Sequence, residues 1–347
     1  MSAPPKAGAA GRQPGRRMWV IACLVLALIL VPLCLLAWYS AGKPAPGDKL
    51  SIAVPSAPHA ALLHIAAARQ LFAAEGLDVS IVPTTHGKVA LDQLAQGKVD
   101  LAAAAEVPFV VNVMNGQPLA ILASVASASS EMAVIARRDR QISRPGELAG
   151  KRIGITRGTS GEYYLWAFLT RHKLAPDSVT LVDAPPDRLD RELVDGRLDA
   201  IAAWQPTRGR AVTALGEGAV SLTEPHAYTA TYVLVGRNDY LRQHPRILEK
   251  LLRALLGAEA FQREQPQQAL QLVAERLRVE PRALTPSWQD QDFRVDLLQS
   301  QLITLEDEAR WAAARGYAPA GAAPNFLSHL HLDALLAVRP ERVTVVH

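Results

Sequence analysis

Cysteine is missing from most of this chain. Only Cys23 and Cys34 occur among its 347 residues, so every position from 49 onward lacks a thiol. That absence excludes a disulfide framework and a cysteine-based metal site from the main body of the protein. A body without thiols also suits an oxidising compartment.

The body also lacks an excess of charge of either sign. Residues 1–48 carry five basic side chains and one acidic one, and the rest of the chain carries 32 of each sign. Nucleic-acid binding depends on the neutralisation of phosphates by clustered basic residues, so no nucleic-acid partner is predicted.

The sequence motifs of common catalytic sites are absent too. The sequence has no His-Glu-x-x-His, no Gly-x-x-x-x-Gly-Lys-Ser/Thr and no Gly-x-Ser-x-Gly. The pair His329 and His331 fits an exposed surface better than half of a metal site. We therefore predict no catalytic residue, no metal and no cofactor, and hence a protein that is not an enzyme.

One long apolar run stands near the beginning. Residues 18–39 hold no charge and follow four positive ones. Twenty-two residues of helix span about 33 Å, enough to cross a bilayer core of about 30 Å. We expect a cytoplasmic tail (1–17), a membrane anchor (18–39) and a linker (40–48). A signal peptide cleaved near Ser40 is the alternative, and both predict that the body is exported.

Beyond the linker, strand and helix patterns alternate, which indicates an open α/β sheet. The strands 50–54, 78–82, 99–104 and 119–125 alternate with helices, and the order begins again at residue 153. The motif L-x-x-G-K-V-D-x-x-A-A at 94–104 is repeated as L-x-x-G-R-L-D-x-x-A-A at 193–203. The repeat predicts two similar lobes.

The last third of the chain reads as a strand at 230–235 followed by helices at 245–264, 266–278 and 295–315. It is too helical to build a sheet alone and is expected to pack on the first lobe. The predicted lobes are thus 49–136 with 232–347, and 137–231. Strands at 132–136 and 230–235 would join them as a hinge.

Ligands of open α/β sheets bind beyond the carboxyl ends of the strands, where helices also begin. The residues at those positions are the predicted ligand-binding set: Ser56, His59, Thr84, His86, Gly87, Glu106, Arg157, Gly158, Thr159, Ser160, Gly161, Trp204 and Gln205. No lysine is placed in this set.

The segment 156–162 (TRGTSGE) carries the strongest signal. Its glycines permit close approach of the backbone, and a helix beginning there offers free N–H groups to an anion. A plain capping box from Thr159 to Glu162 is the alternative interpretation. If both ends of a ligand are held, a zwitterion would place its acid group near Thr159 and its ammonium near Glu106.

Several stretches resemble one family. LHIAAARQLFAAEGLDVSIVP, GKVALDQLAQGKVDLAAAAE, PGELAGKRIGITRGTSGEYYL and DGRLDAIAAWQP are similar to the solute-binding proteins of bacterial ABC importers of the nitrate, aliphatic sulfonate and taurine type. The likeness covers about residues 50–340. Gln205 departs from it, since many relatives have Glu there.

The resemblance implies a type II periplasmic-binding-protein clamshell that holds a small anion or zwitterion between two lobes and delivers it to an ABC permease and its ATPase. The location would be the periplasmic side of the inner membrane. Two alternatives stay open: a membrane-anchored sensor or accessory binding domain, and a thiamine-pyrimidine enzyme of the same fold. The lack of a lysine at the predicted cleft argues against the enzyme.

Overall fold

The structure, a computed structural model, describes residues 47–224, 227–319 and 323–346. The predicted tail (1–17), membrane segment (18–39) and nearly all of the linker (40–48) lie outside these ranges. No helix within the ranges is both long enough and apolar enough to cross a membrane.

The described residues form two β-sheets. The first has the strand order β11-β4-β10-β3-β1-β2, and the second has the order β7-β6-β8-β5-β9. The bounds are β1 Asp48–Pro55, β2 Leu77–Thr84, β3 Leu101–Ala105, β4 Leu119–Ala128, β5 Ala133–Arg137, β6 Arg152–Ile155, β7 Thr180–Asp183, β8 Ala200–Ala203, β9 Ala219–Leu222, β10 Ala230–Arg237 and β11 Gln291–Asp292.

Both sheets have the same sequence of strand directions. In the first, β1 is parallel to β2 and β3, and β10 is antiparallel to both β3 and β4. In the second, β6 is parallel to β7 and β8, and β5 is antiparallel to both β8 and β9. The sequence repeat therefore corresponds to two sheets of one design, in which three parallel strands are followed by an antiparallel strand. The first sheet adds β11, which is antiparallel to β4 at its edge.

Helices cover the sheets. Their bounds are α1 Ala61–Ala68, α2 Leu71–Ala74, α3 Gly87–Ala95, α4 Glu106–Met114, α5 Ser160–Arg171, α6 Leu189–Val194, α7 Thr207–Leu215, α8 Asn238–Gln243, α9 Pro245–Glu264, α10 Pro266–Leu277, α11 Pro281–Asp290, α12 Gln299–Ala314 and α13 Asp333–Val338. The sequence pattern predicts one helix over 59–74, but the structure has a break there, because Gln70 adopts a left-handed φ of 57°.

The chain passes between the sheets twice. It leaves the first sheet after β4, enters the second at β5, and returns from β9 to β10. The connecting residues are 129–132 and 223–229. The strands predicted at 132–136 and 230–235 are thus parts of the two sheets, and the short segments before them make the crossings.

An aspartate fixes the parallel pairing in each sheet. Asp100 accepts hydrogen bonds from Ser51 N at 2.8 Å and from Ser51 Oγ at 2.6 Å. At the equivalent place, Asp199 accepts from Arg152 N at 2.8 Å and also pairs with the Arg152 guanidinium. A short side chain that bonds to the backbone of the neighbouring strand sets the strand register.

Because a half-buried backbone N–H left without an acceptor costs about 1–3 kcal/mol, we expect Asp100→Ala and Asp199→Ala each to lower the free energy of unfolding by about that amount. Chemical denaturation measures the change. Asp78→Ala on the exposed side of β2 is the matched control and should leave the stability within about 0.5 kcal/mol of the parent. Equal effects of all three substitutions would contradict this role of the two aspartates.

Candidate ligand-binding site

A cavity lies where β1 and β8 end and where α3 and α5 begin. It is narrow, with a volume of about 40 Å³. Its lining residues are Pro55, Ala57, His59, Thr85, His86, Gly87, Lys88, Ala105, Pro108, Met132, Thr159, Ser160, Trp204 and Tyr232. Both sheets contribute, since Thr159, Ser160 and Trp204 follow strands of the second sheet.

Of the residues predicted from the sequence, six line this cavity: His59, His86, Gly87, Thr159, Ser160 and Trp204. The other seven, Ser56, Thr84, Glu106, Arg157, Gly158, Gly161 and Gln205, do not. Most of these seven lie directly behind the lining and hold it in place, as the contacts below show.

The beginning of α5 is one polar end of the cavity. Gly158 has a φ of +69°, which turns the chain so that Ser160 starts the helix. Thr159 Oγ1 donates to the Thr156 carbonyl at 2.7 Å, so it does not cap the helix. Within the described residues, the N–H groups of Ser160 and Gly161 have no backbone acceptor. They are free to bind an anion.

Glu162 holds this turn from behind. Its Oε2 accepts hydrogen bonds from Gly158 N at 2.9 Å and from the Tyr317 hydroxyl at 2.5 Å. The predicted capping box is therefore replaced by a carboxylate that closes the turn before the helix. Tyr317 comes from the end of the chain, so the turn is anchored to a distant segment.

The beginning of α3 is the second polar end. A Cβ on Gly87 would lie 2.8 Å from Ala104 Cα, so only glycine lets this helix start so close to β3. The Gly87 and Lys88 N–H groups have no backbone acceptor in the part of the chain that is described. Lys88 Nζ donates to the Arg157 carbonyl at 3.2 Å, which joins the two polar ends.

The prediction that no lysine reaches the cleft was wrong. Lys88 lies one residue beyond the predicted segment, and its long side chain extends to the cavity. Burial lowers the pKa of the His86 imidazole, and the positive charge of Lys88 lowers it further. The imidazole is therefore neutral near pH 7. Among the described lining residues, Lys88 is the one with a charged side chain.

Trp204 forms an apolar wall. A Cβ on Gly161 would lie 2.9 Å from the indole ring, so this glycine makes room for the tryptophan. Gln205, the next residue, turns away, because its Oε1 accepts from Gly209 N at 3.0 Å at the beginning of α7. The departure from the family pattern at Gln205 therefore affects a helix end and not the cavity lining.

His59 and Tyr232 form a second wall. Their rings stack with centroids 3.9 Å apart. Burial lowers the pKa of His59 to about 3, aided by His64, so the imidazole is neutral. The Tyr232 hydroxyl donates to Glu131, a fully buried residue in the first crossing segment. Tyr232 was missed in the sequence because its strand was interpreted only as a hinge.

Glu106 does not reach the cavity. It is fully buried, and its oxygens accept from the Tyr228 hydroxyl at 2.9 Å and from Thr231 N at 2.8 Å. Burial raises the pKa of Glu106 to about 7, and it raises the pKa of Glu308, an equally buried neighbour, well above the usual value. The acidic pair thus belongs to the packing between α4 and α12.

The remaining predicted residues also serve the backbone. Ser56 N donates to Thr84 O at 3.0 Å, and Thr84 Oγ1 donates to His86 O at 3.4 Å. Arg157 N donates to Asp183 at 3.0 Å. These contacts fix the loops that follow β1, β2 and β6. The lining therefore combines apolar walls, the N-termini of two helices and one ammonium group. None of the described lining residues carries a carboxylate.

The family model NMT1/THI5 like matches residues 57–269, more than half of the chain. The chain belongs to this family. A putative binding protein of Brucella abortus (strain 2308) is 23% identical over 225 residues, which are 62% of this chain and 67% of that protein. The taurine-binding periplasmic protein of Escherichia coli (strain K12) is 24% identical over 201 residues, 56% of this chain and 61% of its own length.

Among solved structures, the alkanesulfonate-binding protein SsuA from Xanthomonas axonopodis pv. citri, bound to MOPS, superimposes with a TM-score of 0.73 at 18% identity. The match covers 83% of this chain and 99% of that protein. The expected periplasmic-binding-protein fold, with two sheets flanked by helices, is thereby confirmed. Similarity at this level of identity speaks for the fold alone.

The buried acidic pair gives a test of this packing. Glu308 binds its proton more tightly in the folded chain, so the free energy of unfolding falls as the pH rises above the ordinary value of 4.5. We expect Glu308→Gln to remove that loss. The variant should match the parent near pH 4 and exceed its stability by about 1–3 kcal/mol at pH 8.

Denaturant titrations at the two pH values measure this difference. Glu306→Gln, on the exposed face of the same helix, is the control and should change the stability equally at both. A Glu308→Gln variant that is less stable than the parent at pH 8 would show that the carboxyl group is needed in its charged form.

Proposed function

We propose that this chain is the solute-binding component of an ABC importer and that it captures a small organic anion. The observation that carries the proposal is the composition of the cavity. Two helix beginnings and Lys88 supply positive potential, and no carboxylate opposes it in the lining. Relatives named for binding taurine and alkanesulfonates support the same class of ligand.

The walls refine the ligand class. Trp204, Met132, Pro55 and Pro108 offer apolar surface on which a hydrocarbon body can be buried. A bare inorganic ion such as nitrate would leave that surface empty. A zwitterion such as taurine would bring an ammonium toward Lys88 and would find no carboxylate there, because Glu106 is buried elsewhere. An alkanesulfonate uses both the polar ends and the walls.

Binding without turnover is part of the proposal. His59 and His86 are held neutral. The His86 imidazole hydrogen-bonds to the Thr85 hydroxyl at 3.0 Å, so this pair is the one to watch for turnover. In the described ranges, no cluster of three or more metal-ligating side chains occurs. The lysine that now lies at the cavity removes one argument against a pyrimidine-forming enzyme, so recovery of chemically unchanged ligand after incubation is the required check.

We further propose that the two sheets belong to two lobes that close on the ligand. The division lies at the crossings 129–132 and 223–229 and not at the predicted bounds 136/137 and 231/232, because β5 (Ala133–Arg137) pairs within the second sheet and β10 begins at Ala230 in the first. The contacts that span that division include Lys88 to the Arg157 carbonyl, Tyr317 to Glu162, and Arg315 to Asp177 at 3.3 Å. The partners would be a permease and its ATPase, and the location would be the periplasmic side of the membrane, with residues 18–39 as anchor or signal.

Ser160→Asp should weaken the binding of ethanesulfonate, because it sets a second negative charge at the beginning of α5. Lys88→Met should weaken it by removing the ammonium. Loss of one charge-assisted contact costs about 1.5–3 kcal/mol, so we expect the Kd to rise about 10-fold to 100-fold in each variant. Isothermal titration calorimetry with ethanesulfonate, taurine and nitrate measures the affinities.

The matched controls are Ser80→Asp and Lys98→Met, both on exposed positions of the same sheet region. They should leave all three affinities unchanged. A ligand set limited to cations or neutral sugars, or equal Kd values in Ser160→Asp and Ser80→Asp, would refute the anion site.

Lobe closure is tested with a cysteine pair at Asp177 and Arg315, neither of which lines the cavity. Cys23 and Cys34 are first replaced by serine. We expect saturating ethanesulfonate to raise the rate at which a short bis-maleimide joins the pair, because closure holds the two positions together.

A control pair at Asp48 and Lys250, which are joined by a 2.7 Å ion pair within one proposed lobe, should crosslink at a rate independent of ligand. If ligand leaves the rate at positions 177 and 315 unchanged as well, the hinge proposal fails. The anion proposal would still be decided by the calorimetry.

A further inference from the structure

A second cavity lies on the first sheet and shares no lining residue with the first. Its volume is about 350 Å³, and it is open to solvent on one side. Its lining residues are Ser124, Ala126, Ser127, Thr229, Thr231, Asp292, Arg294, Asp296, Leu298, Ser300, Gln301 and Thr304. They come from β4, β10, β11, α12 and the segments that precede β10 and α12.

The floor of this cavity is polar although it is buried. Ser124, Asp296 and Gln301 are each only 5% exposed. Ser124 N donates to the Asp296 carbonyl at 2.8 Å, so the segment that precedes α12 is tied to β4. Buried polar groups are normally hydrogen-bonded, and a polar floor therefore calls for a partner.

Six hydroxyl groups surround the floor, from three serines and three threonines. Only one of them, Thr304 Oγ1, makes a hydrogen bond within the described residues, and that bond to Ser300 O is long at 3.4 Å. Hydroxyls both donate and accept, so they suit a ligand whose own groups do the same.

The side chain of Gln301 also requires a partner that can both donate and accept hydrogen bonds. Among the residues that the structure describes, neither its Nε2 nor its Oε1 has a hydrogen-bond partner, and both atoms are buried. An ion can satisfy only the donor or only the acceptor of a carboxamide, whereas neighbouring hydroxyl groups can satisfy both.

The charges around the cavity disfavour an anion. Arg294 pairs with Asp296 at 3.1 Å, which leaves the exposed Asp292 as an extra negative charge. The ligand that fits these groups is therefore neutral and rich in hydroxyls.

We propose that this cavity binds a neutral polyhydroxylated solute, a sugar or sugar alcohol, independently of the anion site. Pockets for small molecules usually enclose about 300–1,000 Å³, so the space suffices. Ser127 lies at the end of β4 and Thr229 just before β10, next to the two crossings between the sheets. A bound polyol would thus stand beside the segments that join the proposed lobes.

Saturation-transfer NMR on the full chain with D-glucose, D-mannitol and myo-inositol tests the site. We expect a saturable signal for at least one of them, and we expect Gln301→Leu to raise its Kd at least tenfold. Leucine is close to glutamine in size and removes an unpaired buried amide, so the variant should fold. Ser124→Ala, which removes one floor hydroxyl, should raise the Kd severalfold.

Gln267→Leu, on the exposed face of α10, and Thr180→Val, on the second sheet, are the matched controls and should bind the polyol as the parent does. Trp204→Ala should leave the polyol affinity unchanged while weakening ethanesulfonate. No saturable signal for any of the three polyols, equal Kd values in Gln301→Leu and Gln267→Leu, or loss of polyol binding in Trp204→Ala would each overturn the proposal.

Discussion

Parallel pairing of β1 with β2 and β3, and of β6 with β7 and β8, is the constraint on which the rest depends. Parallel strands end at one edge of a sheet, so the helices that follow them begin at that edge. Asp100 and Asp199 fix the pairing by bonding to the backbone of the neighbouring strand. The free N–H groups at the beginnings of α3 and α5 face one cavity because the two sheets share this arrangement.

Burial determines which polar residues near that cavity can meet a ligand. Glu106, Glu131 and Glu162 all lie close to the lining, and each is used within the protein by tyrosine hydroxyls. Because these three carboxylates lie outside the lining, the charge that faces the cavity is the ammonium of Lys88. Three carboxylates thus shape an anion site by supporting its walls from behind.

Much of the fold could be predicted from the sequence, because hydrophobic periodicity and glycines at helix ends are local signals. The helix Pro245–Glu264 has the predicted bounds. The site was predicted less completely, since the rule of strand ends identifies loops and not the directions of side chains. Lys88 and Tyr232 reach the cavity from inside a helix and a strand, and Glu106 points away from it, which depends on packing between distant segments.

The position of β10 between β3 and β4 has a consequence for how the chain folds. β3 and β4 are close in sequence, yet each pairs with a strand that lies more than one hundred residues further along. The first sheet cannot close until residue 237 is available, and contacts of such long sequence separation form slowly. The strands of the first sheet therefore cannot all pair until about two thirds of the chain has been made.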